Sequence, residues 1–193
     1  MREKGLVQLF RHGGTVFTPE ELAVIWGISN YDYVKTKIAH YIKKGYLTRI
    51  ARGIYVKDSR DYELFELANK LRSPSYISLE TVLLKEGVVF QADSRVSLVS
   101  YFSQTITVAG RQFIYKKIKD NVLFDHRGIN DAGHYFIAGR ERAFLDMLYL
   151  YKDYHFDNLA SMDWNAVSRL AEIYGSKTIL KKVEEYRKNA GSR

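Results

Sequence analysis

The amino-acid sequence predicts an α+β protein: an N-terminal winged helix-turn-helix over residues 1–58, then a larger mixed α+β domain over residues 59–193. Three observations carry this. The first 58 residues alternate capped helical stretches with short β-prone runs in the order of a winged helix. Beyond Asp58-Ser59-Arg60 the pattern changes to helices that enclose a block of strand-like runs between 96 and 138. Hydrophobic residues make up 46% of the 193, with only two prolines, which is enough apolar material for a real core.

In the first part, Arg2 to Arg11 reads as a short helix with Leu6, Val7, Leu9 and Phe10 facing inward, stopped by His12-Gly13-Gly14. Val16-Phe17 is extended. Thr18 is placed to cap the next helix, with Pro19 at the first helical position and Glu21 completing a capping box. That helix carries Leu22, Ala23, Ile25 and Trp26 and ends at Gly27. After a tight turn, Ser29 or Asn30 caps a longer helix to about Lys44, which Gly45 terminates in the left-handed conformation. Tyr46 to Ile50 and Ile54 to Lys57 form a hairpin about Ala51-Arg52-Gly53.

In the second part, Asp61 to Leu71 is helical, Ser73-Pro74-Ser75 breaks it, and Ser78 caps a helix to about Glu86. Strands are expected at 96–102, 105–108, 112–118 and 135–138, with Ala109-Gly110 as one turn. Helices follow at about 140–152, 163–174 and 176–189, the last with i,i+4 pairs such as Lys181–Glu185 on a solvated face.

Composition excludes several chemistries. The absence of cysteine removes disulfides, thiolate zinc sites, iron–sulfur clusters and cysteine nucleophiles. No apolar run approaches the ~18 residues of a membrane span, and the start of the chain does not read as a signal peptide, so a cytoplasmic protein is expected. The net charge of +8 and the pI near 9.5 fit a partner that is a polyanion. Residues 1–58 carry ten basic and five acidic side chains, a denser excess than in the remainder.

That excess falls where a helix-turn-helix would meet DNA. The second helix of such a pair lies in the major groove and offers its N-terminal residues to base edges. Val34, Ile38, Tyr41 and Ile42 share the inward face, while the DNA-binding candidates are Ser29, Asn30 and Tyr31 at its tip, Tyr33, Thr36 and His40 on its outer side and Lys37 on a flank. Arg49, Arg52 and Lys57 sit on and around the hairpin, suited to phosphates or the minor groove.

Catalytic patterns are weak. The histidines form no H-E-x-x-H, and no G-x-S-x-G or dinucleotide fingerprint occurs. Gly175-Ser176-Lys177-Thr178 only partly matches a Walker A ending, and no aspartate follows it to support a nucleotidyltransferase motif. Glu141 and Asp146, five apart on a helix, do not share a face and read as structural. No catalytic residue, metal or cofactor is expected. The competing enzyme reading rests on Asp125, His126, Asp131 and His134 in one turn-rich segment.

Three segments in order carry a resemblance. Arg49-Ile50-Ala51-Arg52-Gly53-Ile54-Tyr55-Val56, Ser73-Pro74-Ser75-Tyr76-Ile77-Ser78-Leu79-Glu80-Thr81 and Glu141-Arg142-Ala143-Phe144-Leu145-Asp146 together resemble the AbiEi family of bacterial antitoxins. The resemblance spans residues 1 to about 150. It implies a winged helix that represses its own operon by binding inverted repeats in the promoter double-stranded DNA. It also implies a second domain that counters a nucleotidyltransferase toxin of an abortive-infection (phage-defence) system, without a stable complex. The alternative is a stand-alone winged-helix transcription factor whose C-terminal domain binds an effector.

Overall fold

The computed structural model describes residues 2–91 and 93–190. The chain is an N-terminal winged helix-turn-helix followed by a larger mixed α+β domain, and it divides into compact units at Leu71/Arg72.

The first unit runs α1 (Arg2–Arg11), β1 (Val16–Phe17), α2 (Pro19–Trp26), α3 (Tyr31–Lys43), β2 (Thr48–Ala51), β3 (Ile54–Val56) and α4 (Leu64–Leu71). The start of α2 is held by the full capping box: the Glu21 N–H donates to the Thr18 hydroxyl, and the Thr18 N–H donates back to the Glu21 carboxylate at 2.8 Å. Gly27 ends it at φ 64°. Asn30, of the two cap candidates, caps α3 by accepting the Tyr33 N–H at 3.0 Å. β1, β3 and β2 form a three-stranded antiparallel sheet, with Val16 opposite Val56 and Arg49 opposite Tyr55.

The core of this unit gathers Leu9, Phe17, Leu22, Trp26, Val34, Ile38, Tyr41 and Leu47. The inward faces are narrower than the sequence suggests. On α1, Val7 and Phe10 are exposed, and on α3 the buried stripe is Val34, Ile38 and Tyr41, leaving Ile42 outside.

The helix α4 belongs with this unit, although the change of pattern at residues 58–60 assigns it to the second. Polar contacts explain this. The buried Glu66 carboxylate accepts from the Thr15 N–H at 2.8 Å and the Thr15 hydroxyl at 2.7 Å. Lys70 pairs with both Glu66 and Glu21, each at 2.8 Å, and donates to the Val16 carbonyl. None of this has an apolar periodicity to announce it.

The second unit runs β4 (Ser75–Ile77), α5 (Leu79–Lys85), β5 (Val96–Ser100), β6 (Gln104–Val108), β7 (Arg111–Lys117), α6 (Asp120–Leu123), β8 (Ile129–Asp131), β9 (Phe136–Ala138), α7 (Arg140–Leu150), α8 (Trp164–Ala171), a 3-10 turn (Glu172–Tyr174) and α9 (Lys177–Ala190). Its six-stranded sheet has the order β6-β7-β5-β4-β9-β8. The β4–β9 and β5–β7 pairs are parallel and the rest antiparallel. Helix α7 packs against α5, α8 and α9. No helix among the described residues is long and apolar enough to cross a membrane.

A buried polar hub closes this unit. Arg142 and Asp146, one turn apart on α7, are both wholly buried, with Arg142 Nε 3.4 Å from the carboxylate. The carboxylate also accepts from the hydroxyls of Tyr174 (2.6 Å), Ser78 (2.7 Å) and Tyr76 (3.2 Å). The remaining guanidinium N–H groups donate to the carbonyls of Val122, Asp125 and Arg127 and to Tyr76 Oη. Burial pushes the Asp146 carboxyl up, and Arg142 and the three hydroxyls oppose it. Ser78 stands at the cap position of α5, but its hydroxyl serves this hub and makes no cap bond. Leu79, beside it, takes φ 57° while fully buried, which the packing around it must hold in place.

Candidate nucleic-acid interface

The outer side of α3 and the β2–β3 hairpin carry the candidate residues. Ser29, Asn30, Tyr31, Tyr33, Thr36 and His40 are exposed. Several are already oriented by local bonds. The Asn30 carbonyl oxygen is spent on the cap, so only its amide nitrogen is uncommitted. Thr36 donates to the Asp32 carbonyl at 2.9 Å and keeps its acceptor lone pairs. The Tyr31 hydroxyl donates to Glu20 at 3.3 Å, which ties the tip of α3 to the start of α2. Lys35, not among the residues singled out from the sequence, lies 4.6 Å above the Tyr31 ring and 3.3 Å from Asp32.

On the hairpin, Arg49 and Arg52 are exposed, Gly53 supplies φ 73° at the turn, and the strand register shifts between Arg49 and Ala51. Arg52 thus stands exposed at the turn of the hairpin.

Two candidates are turned inward. Lys57 donates to the His12 carbonyl at 2.9 Å, satisfying the last turn of α1, and lies over the Phe17 ring. Burial pulls its ammonium below the usual lysine value, with Glu66 pulling back. Lys37 leans from α3 onto Trp26, its Nζ 4.4 Å from the ring centroid. Burial lowers its pKa also. It has no hydrogen-bond or ion-pair partner among the described residues. From the flank of α3 the long side chain follows the apolar seam toward Trp26.

The carboxylate and histidine candidates of the second unit are engaged elsewhere. Asp125 is held below the usual carboxylate range chiefly by its bonds to Arg127, at 2.6 Å for the closest. Asp131 accepts the Gly133 N–H, and His126 packs edge-on against Phe136. Glu141 pairs with Arg140 and accepts the Asp163 N–H, so Arg142, not Glu141, is the partner of Asp146. Gly175-Ser176 is a helix boundary: Gly175 takes φ 55° and the Ile179 N–H reaches the Ser176 hydroxyl at 3.4 Å. No group of three histidine, aspartate or glutamate side chains with metal-holding geometry occurs among the described residues.

A paired helix-turn-helix with an arginine-tipped wing defines the class: a winged-helix unit. Residues 6–56, from α1 to the last wing strand, match the family model described as a transcriptional regulator, AbiEi antitoxin. Over that stretch, which is about a quarter of the chain, the winged helix is similar to that of AbiEi-type antitoxin regulators. No curated protein matches the chain significantly.

Proposed function

We propose that this chain is the antitoxin of an abortive-infection toxin–antitoxin pair and represses its own operon. In this reading the first unit binds inverted repeats in the promoter, with the tip of α3 in the major groove and Arg49 and Arg52 on the backbone. The second unit counters a nucleotidyltransferase toxin without forming a stable complex with it. The observation that supports the reading most is the coincidence of the family match with the elements that build this face, α3 and the wing. The excess of basic over acidic side chains in residues 1–58 supports it independently.

The test is an equilibrium titration of the full chain against its own upstream DNA and a random duplex across a salt series. The upstream DNA should bind tighter, as specific sites do by about three or more orders of magnitude. Equal affinity for both would end the repressor reading. Co-expression with a neighbouring nucleotidyltransferase should relieve its toxicity with no complex surviving gel filtration. A co-eluting pair would point to direct inhibition instead.

A further inference from the structure

Between α1 and α3 the winged-helix unit holds a cavity of about 880 Å³, within the size range of small-ligand sites. Its walls are aromatic: Trp26 and Tyr41 meet edge-to-face at 5.1 Å, and Tyr33 and Tyr46 add further ring surface. Its charges have one sign. Lys4, Lys37 and Lys44 line it, and no carboxylate among the described residues does. This one-sided lining gives the cavity a positive potential that suits an anion.

Two donors in the wall lack acceptors among the described residues. The Tyr41 hydroxyl is buried with no hydrogen-bond partner there. The Lys37 ammonium rests on the faces of Trp26 and Tyr41. Both converge on Gly5 of α1: a Cβ built there would stand 3.1 Å from Tyr41 Oη and closer still to Lys37 Nζ. Glycine inside a helix costs about 0.5–1 kcal/mol relative to alanine, and here it keeps that corner open. A buried hydroxyl without a partner is itself unfavourable, so phenylalanine would serve the core better than Tyr41 does. Indole Trp26 is not in that position, because its Nε1–H donates to the Gly5 carbonyl at 3.1 Å.

We propose that this cavity binds a small organic anion with a planar apolar body, such as an aromatic carboxylate or sulfonate. Its ring lies among Trp26, Tyr33 and Tyr46 while its acid oxygens accept from Lys37 and Tyr41. Tyr33, Thr36 and His40 of α3 border the same cavity, so occupancy weakens DNA binding. That consequence rests on α3 being the DNA-facing helix; the binding itself does not.

The experiment is calorimetric titration of the full chain with 2-naphthoate and with the uncharged 2-naphthylmethanol, followed by duplex binding with and without saturating 2-naphthoate. The acid should bind at one site and the alcohol at least tenfold more weakly, taking a charge-assisted bond at about 1.5–3 kcal/mol. Lys37→Met should lose about tenfold or more in affinity for the acid. Tyr41→Phe should lose several-fold while its melting temperature stays level or rises. No heat with 2-naphthoate, equal binding of the alcohol, or wild-type affinity in both variants overturns the proposal. So does a Lys37→Met protein that loses duplex affinity while 2-naphthoate gives no heat, because the lysine then holds a DNA phosphate. If 2-naphthoate binds and no duplex does, the cavity stands and the DNA reading fails.

Discussion

At the scale of single residues, the charged side chains that matter most for folding are those that water no longer reaches. Asp146 and Arg142 are the clearest pair. Removing one partner leaves an unpaired buried charge, which typically costs about 3–5 kcal/mol. Asp146→Ala should therefore lower the urea midpoint of the second unit sharply, followed by Trp164 fluorescence; a change under about 1 kcal/mol would mean that Asp146 is not ionised beside Arg142. Glu66 behaves differently. Burial pushes its carboxyl up, but bonds from Lys70 and Thr15 outweigh that and its pKa lies below the ordinary 4.5. A depressed carboxylate stabilises the fold fully above its unfolded pKa and loses that contribution as pH falls through the folded value. Acid unfolding of the first unit should accordingly steepen below about pH 4.5. Glu66→Gln should flatten that limb, and an unchanged acid limb would contradict the assignment.

At the scale of elements, the proposed function divides affinity from specificity between the wing and α3. Arg52→Ala should weaken upstream and random DNA by similar factors and reduce the log–log salt slope by about 0.9 if one phosphate contact is lost. Lys57→Ala, whose ammonium is already held by the His12 carbonyl, should instead cost thermal stability and leave the slope alone. Salt-dependent anisotropy and melting curves on both variants separate the two roles. The elements themselves were largely legible in the sequence. Thr18, Pro19 and Glu21 announce α2 through local bonds, and Asn30 and Gly27 bracket the turn in the same way. What was not legible depends on distant partners. β4 is three residues squeezed between Pro74 and Ser78, and only its pairing with β5 and β9 makes it a central strand. β8 and the single turn α6 are too short to show a period. In the candidate interface the residue types at the tip of α3 were legible, whereas the inward turn of Lys37 and Lys57 depends on Trp26 and His12, far away in sequence.

At the scale of the whole chain, the two units set where it can be divided. A fragment of residues 1–71 keeps α4 and its contacts to Thr15, Val16 and Glu21, whereas residues 1–58 lose them. The longer fragment should melt higher and retain DNA binding, and circular dichroism of both decides it; equal melting temperatures would mean α4 adds nothing to the winged helix. In the proposed function the antitoxic effect belongs to the remainder. Within that remainder the last helix is part of the core. Phe144 of α7 meets Phe156, Trp164 and Tyr186 at 4.8, 5.9 and 5.7 Å, Tyr186 donates to the Tyr154 carbonyl, and Val183 and Ile179 are buried beside them. A cut within α9 therefore removes part of the core and not a loose appendage. Once Tyr186 and Val183 are gone, the rings of Phe144 and Phe156 are uncovered and the whole unit becomes digestible. Limited proteolysis of this unit should therefore leave no shortened intermediate, and a stable fragment lacking α9 on a denaturing gel would contradict that.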